Sequence, residues 1–195
     1  DGNAMGSYVE EYTYDEVGNF SRLRHQGLDP AHPGWTRAYH YTEPSLIEPG
    51  KRNNRLSRTA VGSTTEPYSY DAQGNMTSMP HLEQMVWDFE GQLQQVVLEG
   101  SGKAYYMYDA AGQRIRKVLE RRNGTRQKER IYLGSFEIYR EYNGSTVSLE
   151  RETLHIMDDK QCIALVETKT VDTSSMPFTP SSRIRYQLSN HLNSV

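Results

Sequence analysis

The sequence predicts an all-β fold made of antiparallel hairpins, and three observations predict it. A hexapeptide of the form Tyr-Asp-x-x-Gly-Asn/Gln occurs at Tyr14-Asp15-Glu16-Val17-Gly18-Asn19, Tyr70-Asp71-Ala72-Gln73-Gly74-Asn75 and Tyr108-Asp109-Ala110-Ala111-Gly112-Gln113, with a worn copy at Trp87-Asp88-Phe89-Glu90-Gly91-Gln92. Use of one short unit over and over marks a chain assembled from copies of a supersecondary element. Residues 105 to 168 are also punctuated by hairpin signals. Asn123-Gly124 and Asn143-Gly144 read as two-residue turns, and Asp158-Asp159-Lys160 closes a third hairpin between residues 153–157 and 162–167. Finally, no amphipathic stretch of about 10 to 15 residues separates these signals, so a parallel sheet with crossover helices is excluded.

The hexapeptide has a mechanism. Its aromatic residue ends a strand, its Asp starts a turn by accepting a hydrogen bond from the backbone two residues on, and its Gly supplies the positive φ that closes the turn. Tyr14, Asp15 and Gly18, Tyr70, Asp71 and Gly74, and Tyr108, Asp109 and Gly112 are therefore the candidate structural residues of three corners. After each glycine the chain returns to strand, as in Arg114-Ile115-Arg116-Lys117-Val118-Leu119-Glu120 and Met76-Thr77-Ser78-Met79. Fourteen tyrosines against four phenylalanines suit thin, half-wet sheets, because a tyrosine ring covers a sheet face while its hydroxyl stays near water or a partner.

Along the chain, residues 1–27 hold the first hairpin. Residues 28–51, with Pro30, Pro33, Pro44 and Pro49, read as an irregular loop around one extended piece at 36–42, since four prolines oppose a long helix. Hairpins return over 52–79. Residues 81–98 place Leu82, Met85, Val86 and Phe89 on a helical spacing, but the worn hexapeptide within them favours strand-turn-strand. Residues 105–168 read as a β-meander, and 168–182, rich in Thr, Ser and Pro, as a flexible loop.

Composition bounds the function. A 195-residue chain that is 35% hydrophobic, with mean hydropathy −0.80, is lean for a large buried core. The formal net charge of −3 gives no reason to expect nucleic acid, and no apolar run approaches the roughly 20 residues that span a bilayer. Residues 1–13 lack the basic start and apolar stretch of a signal peptide. Cys162 is the single cysteine and reads as a small buried hydrophobe with no partner for an internal disulfide.

Catalytic and metal chemistry find no support in the motifs. The acidic pairs Asp15-Glu16 and Asp158-Asp159 sit at turn starts, where adjacent carboxylates do not flank a cleft as glycoside hydrolysis requires. His25, His32, His40, His81, His155 and His191 show no metal-ligand spacing, and the hexapeptide lacks the alternating oxygens of a calcium loop. No nucleophile elbow, phosphate-binding loop or dinucleotide fingerprint is present. No catalytic residue, metal or cofactor is therefore assigned. The basic run Arg114, Arg116, Lys117, Arg121, Arg122, Arg126, Lys128 and Arg130 reads first as a solvated face that blunts an edge, and second as a docking patch for an acidic partner. Four Asn-x-Ser/Thr sequons, at Asn19, Asn75, Asn123 and Asn143, coincide with turns and are read as turn chemistry.

Beyond these local signals, the chain resembles the YD-repeat or Rhs family, in particular the Rhs repeat-associated core segment of bacterial insecticidal toxin-complex C-like proteins. The resemblance covers nearly the whole chain. It is carried by the hexapeptides, Trp35-Thr36-Arg37 with Tyr39 and Tyr41, Asn54-Arg55-Leu56, and Met79-Pro80-His81-Leu82 ahead of Trp87-Asp88. It continues in Arg130-Ile131-Tyr132-Leu133-Gly134, Phe136-Glu137-Ile138-Tyr139-Arg140-Glu141-Tyr142, Glu152-Thr153-Leu154-His155-Ile156-Met157-Asp158-Asp159, Ile163-Ala164-Leu165-Val166-Glu167-Thr168 and Arg185-Tyr186-Gln187-Leu188-Ser189-Asn190-His191-Leu192.

The resemblance implies that residues 1–195 are a fragment of one Rhs domain, a hairpin ribbon that spirals into a hollow shell, with 183–195 the start of the core's end. Asn193 stands where the family commonly has Gly. The implied function is a non-enzymatic structural segment of a secreted bacterial polypeptide, whose shell encloses and delivers a C-terminal toxin. The implied partners are the rest of that shell, the enclosed toxin and a toxin-complex B-like component, with no nucleic acid and no membrane span. The alternative is a carbohydrate- or cell-surface-binding module of a YD-repeat adhesin, presenting Trp35, Trp87 and Tyr105-Tyr106. A third reading, a part in the family's self-cleavage, fails here because that chemistry lies downstream of the resemblance, so the fragment should be inert.

Overall fold

The protein is represented by a computed structural model that describes residues 7–159, 161–174 and 177–187. The described residues contain sixteen strands and no helix. They fall into two compact units, Asp1–Pro80 and His81–Val195.

In the first unit, β1 (Tyr8–Tyr14), β2 (Phe20–Gly27), β3 (Trp35–His40), β4 (Arg58–Val61) and β5 (Thr64–Pro67) form a five-stranded sheet in sequence order. β6 (Ser69–Tyr70) and β7 (Met76–Ser78) make a separate two-stranded ribbon. β3 is the extended piece expected inside the proline-rich stretch, and Pro44 pairs with Arg52 in an isolated bridge where that stretch folds back. Aromatic rings tie the first sheet together: Tyr14 packs on Phe20 at 4.9 Å, Phe20 on Tyr39 at 5.7 Å, and His25 stacks on Trp35 at 5.4 Å.

The second unit is one nine-stranded sheet, again antiparallel and in sequence order: β8 (Leu82–Trp87), β9 (Leu93–Leu98), β10 (Gly102–Tyr108), β11 (Arg114–Arg121), β12 (Arg126–Leu133), β13 (Phe136–Asn143), β14 (Thr146–Asp158), β15 (Gln161–Asp172) and β16 (Ser181–Tyr186). The meander is therefore wider than the expected 105–168. Residues 82–98 join it because Met85 pairs with Val96 and Val96 with Ala104, a cross-strand row in which all three side chains are buried. With Tyr142 and Ala164, those three are the buried apolar residues among the described residues, a lean core that lies wholly in the second unit.

The flexible loop expected over 168–182 is corrected at both ends. β15 runs on through Asp172 and β16 begins at Ser181. Thr168 and Val171 are β-branched and pair with Glu152 and Glu150 of β14, Thr170 bulges between them with its hydroxyl donating to Glu150 Oε1 at 2.8 Å, and Lys169 reaches Asp172 at 2.7 Å. The turns also differ in detail. The Arg121 N–H donates to the Thr125 carbonyl and the Gly124 N–H to the Arg121 carbonyl, so Asn123-Gly124 lies in a three-residue loop closed by a bulge. Asn143 pairs with Thr146, which places the two-residue loop at Gly144-Ser145, one position later than expected. Of the stretch 183–195, residues 188–195, including His191 and Asn193, lie outside the described residues, as does Lys160 of the third turn.

Candidate functional site

The corners come first, because each is built by local chemistry alone. At Asp15, one carboxylate oxygen accepts the N–H groups of Val17 and Asn19 at 3.0 and 2.8 Å, and the Asp15 carbonyl accepts from Gly18 at 3.2 Å. Asp71 accepts from Asn75 at 2.8 Å, Asp88 from Glu90 and Gln92 at 2.9 and 2.8 Å, and Asp109 from Ala111 and Gln113 at 2.9 Å each. In all four corners the Asp N–H donates to the carbonyl of the residue four on, and the glycine sits at positive φ. The worn copy thus folds as the full ones do. The Asn19 side-chain amide, helped by these backbone donors, holds the Asp15 carboxyl below the usual range. We expect Gly112→Val to cost about 1 to 3 kcal/mol, since φ there is +76° and a β-branched residue is strained in that region. An unchanged melting profile would sink this account of the corner.

The tyrosines add longer reach. Tyr70 donates its hydroxyl to the Leu56 carbonyl at 3.0 Å, and Tyr108 donates to the Leu93 carbonyl at 3.1 Å, so each corner is tied to backbone fourteen or fifteen residues earlier. The Arg55 guanidinium stands over the Tyr70 ring at 5.7 Å and donates to the Asp71 carbonyl at 3.4 Å. Tyr14 instead remains exposed beside Phe20.

Register divides the second sheet into two chemically distinct faces. On one, Tyr106, Lys117, Arg130, Tyr139, Arg151 and Lys169 stand in a single cross-strand row. Guanidiniums lie over tyrosine rings there: Arg114 over Tyr132 at 5.0 Å, and Arg130 and Arg151 over Tyr139 at 5.4 and 5.7 Å. On the other face, Leu133, Phe136, Leu154, Val166 and Ile184 form an apolar row across five adjacent strands. Leu133, Leu154 and Ile184 are exposed.

The basic run is not simply a solvated face. Glu129 is 3% exposed, and three arginines converge on it: Arg116 Nε at 2.7 Å, Arg126 Nη1 at 3.4 Å and Arg140 Nη1 at 3.8 Å. The Tyr142 hydroxyl completes the cluster, donating at 2.5 Å. Burial alone would raise the Glu129 carboxyl, but the Tyr142 and Arg116 hydrogen bonds outweigh it and the group sits below its ordinary value.

Cys162 is half-buried, with Sγ 3.9 Å from His155 Nδ1, while His155 Nε2 lies 3.4 Å from Glu137. This is a loose contact across neighbouring strands, which spacing in sequence did not reveal. Among the described residues no group of three or more His, Cys, Asp or Glu could hold a metal ion, and no helix is long and apolar enough to cross a membrane. Trp35 lies in the first unit, Trp87 in the second, and Tyr105 and Tyr106, as consecutive strand residues, face opposite ways.

Corner chemistry and sequential antiparallel topology together define the class: an open antiparallel β-ribbon of repeated hairpins, the fold class that the sequence motifs predicted. No family model matches the chain. Two toxin subunits of Yersinia entomophaga do: YenC1, 24% identical over 156 residues, and YenC2, 26% identical over 161 residues, covering 75% and 77% of this chain. The chain spans only 15% of either relative. Among solved structures, the crystal structure of TcdB2-TccC3-TEV shares the fold with a TM-score of 0.68 at 22% identity, over 97% of this chain and 9% of that one. The structure of TcdB2-TccC3 matches at 0.52, 16% identity, over 96% of this chain and 13% of that one. In sequence the chain is similar to part of two toxin subunits, and in fold to part of the TcdB2-TccC3 structures.

Proposed function

We propose that this chain is wall: a stretch of secreted, non-enzymatic β-shell that encloses a C-terminal toxin and, with a toxin-complex B-like component, keeps it from solvent until delivery. The observation that carries the reading is the nine-stranded sheet itself. Each strand pairs only with its neighbours in sequence, few side chains are buried, and Leu133, Leu154 and Ile184 of the apolar row stay exposed on one face. A sheet that buries so little of its own surface is not a self-contained core, and it gains stability when something covers its faces. The corners let such a ribbon turn repeatedly at small cost, which is what a wall requires of its sequence.

Limited proteolysis with mass spectrometry tests the proposal on a longer polypeptide that carries this segment with its natural C-terminal region. The expected result is a downstream segment protected under native conditions and digested once mild denaturant opens the shell. Immediate digestion of that segment, with the wall still intact, would overturn encapsulation in favour of surface binding.

A further inference from the structure

Strands β11 to β13 concentrate positive charge. Residues 114–142 carry nine Lys or Arg against four Glu, in a chain whose formal net charge is −3. The surplus lies in the middle of the nine-stranded sheet, three strands from either edge, and β11, β12 and β13 are each paired on both sides.

A cavity of about 250 Å³ opens on these strands, lined by Lys117, Leu119, Lys128, Glu129, Arg130 and Tyr139. Three of those residues are cations. The Glu129 carboxylate does not neutralise them, because Arg116, Arg126, Arg140 and Tyr142 already take it. Arg130 donates to Glu137 Oε2 at 2.6 Å, and Lys128 Nζ lies 3.5 Å from Glu141 Oε1, to which the Tyr139 hydroxyl also donates at 2.6 Å. Lys117 has no carboxylate partner among the described residues, and its ammonium stands 5.7 Å from the centre of the Tyr106 ring. Arg114, which opens β11, is likewise without an ion pair among the described residues and rests over Tyr106 and Tyr132 at 5.8 and 5.0 Å. Leu119 is the apolar part of the lining and is half-buried.

We propose that this cavity binds a sugar unit that carries a tetrahedral oxyanion ester, a sulfate or a phosphate. Lys117 gives the ester an uncommitted ammonium, Arg130 has further N–H donors beyond the one that holds Glu137, and Leu119 meets the C–H face of the sugar ring. Hydrogen bonds from a cation to an anionic oxygen are roughly twice as strong as neutral ones. The volume limits the ligand, since a cavity just below the roughly 300 Å³ at which drug-sized sites begin holds one sugar unit and not a chain of them. Single-stranded nucleic acid fits less well, because it stacks its bases on free aromatic faces. Here Arg130 and Arg151 cover Tyr139, and Arg114 and Lys117 flank Tyr106. The inference rests on strands β11 to β13 alone, so it stands or falls apart from encapsulation.

The test is isothermal titration calorimetry of the full chain with N-acetylglucosamine, its 6-sulfate, its 6-phosphate and the two inorganic anions. At least one ester should bind with a Kd of about 1 mM or tighter, and at least about ten-fold tighter than either the neutral sugar or its bare anion. The tighter ester identifies the source of the oxyanion. Lys117→Gln should weaken that binding at least about ten-fold while leaving the melting profile in place, because Lys117 makes no ion pair among the described residues. Arg122→Gln removes one charge of the same surplus from the exposed turn between β11 and β12, outside the cavity, and should leave the affinity unchanged. No binding of either ester at about ten times that concentration, equal binding of the neutral sugar or the bare anion, or an Arg122→Gln loss as large as that of Lys117→Gln would each overturn the proposal.

Discussion

Glu129→Gln is expected to destabilise the second unit by about 2 to 3 kcal/mol, read as a lowered melting temperature by circular dichroism. The carboxylate is buried at the meeting point of Arg116, Arg126 and Arg140. Removing one partner of a buried ion cluster commonly costs about 3 to 5 kcal/mol, but these guanidiniums are roughly a third exposed, so water screens part of the loss. Gln keeps the shape, so the change isolates charge from packing. Tyr142→Phe removes one hydrogen bond from the same cluster and should cost about 1 kcal/mol, the smaller of the two effects. The reverse order would mean that the hydroxyl, not the charge, organises the cluster.

The same carboxylates set the acid limit. Glu129, Glu141 and Glu150 all sit below the ordinary carboxylate range. Burial opposes this in Glu129 and Glu150 but is outweighed by arginine and hydroxyl donors, and the Tyr139 hydroxyl leads in Glu141. Asp172, held by Lys169 and Ser174, is pulled down to about 2. A group lowered on folding stabilises the native state above its unfolded pKa, and that contribution is lost as pH falls through its folded value. Melting temperature should therefore be flat from neutrality to about pH 5 and fall below it, with the Asp172 contribution lost last. The Glu129→Gln variant should fall less steeply, having lost that carboxylate already.

What could be read from the sequence was what depends on near neighbours. An Asp that bonds the N–H groups two and four residues on, followed by a Gly at positive φ, needs no knowledge of the rest of the fold, and the worn copy at Trp87 was legible for the same reason. The tyrosine hydroxyls were not legible, because Leu56 and Leu93 become neighbours only once strands pair. Nor was the Glu129 cluster. Its arginines come from β11, the start of β12 and β13, and a register shift between Leu119 and Glu120 changes the simple alternation that would have assigned them a face. The same dependence on register moved the Asn143 turn by one position. The misread end of β15 has a different cause, since Thr and Ser serve loops and strands alike, and only the pairing of 168–172 with β14 decides.

Gly102→Ala is the substitution expected to do most harm. Gly102 opens β10, buried between Leu98 of β9 and Arg121 of β11. A Cβ placed there would lie 2.0 Å from the Glu120 carbonyl oxygen and 3.0 Å from the carbonyl carbons of Glu120 and Arg121. These are backbone atoms of a paired strand, which cannot turn aside as a side-chain tip can, so relief requires β10 and β11 to part. The cost should reach about 3 kcal/mol or more, at the upper end for forcing a methyl into packed structure. That exceeds the expected effect of Gly112→Val, whose added carbon meets only the tip of Gln92. Hydrogen exchange should locate the damage, with amides of β9, β10 and β11 losing protection before those of β13 to β15. Each of these strands holds only the next, so a break between β10 and β11 has no further strand to bridge it and opens a seam in the sheet. Uniform loss of protection across all nine strands would instead mean that the sheet unfolds as one cooperative body.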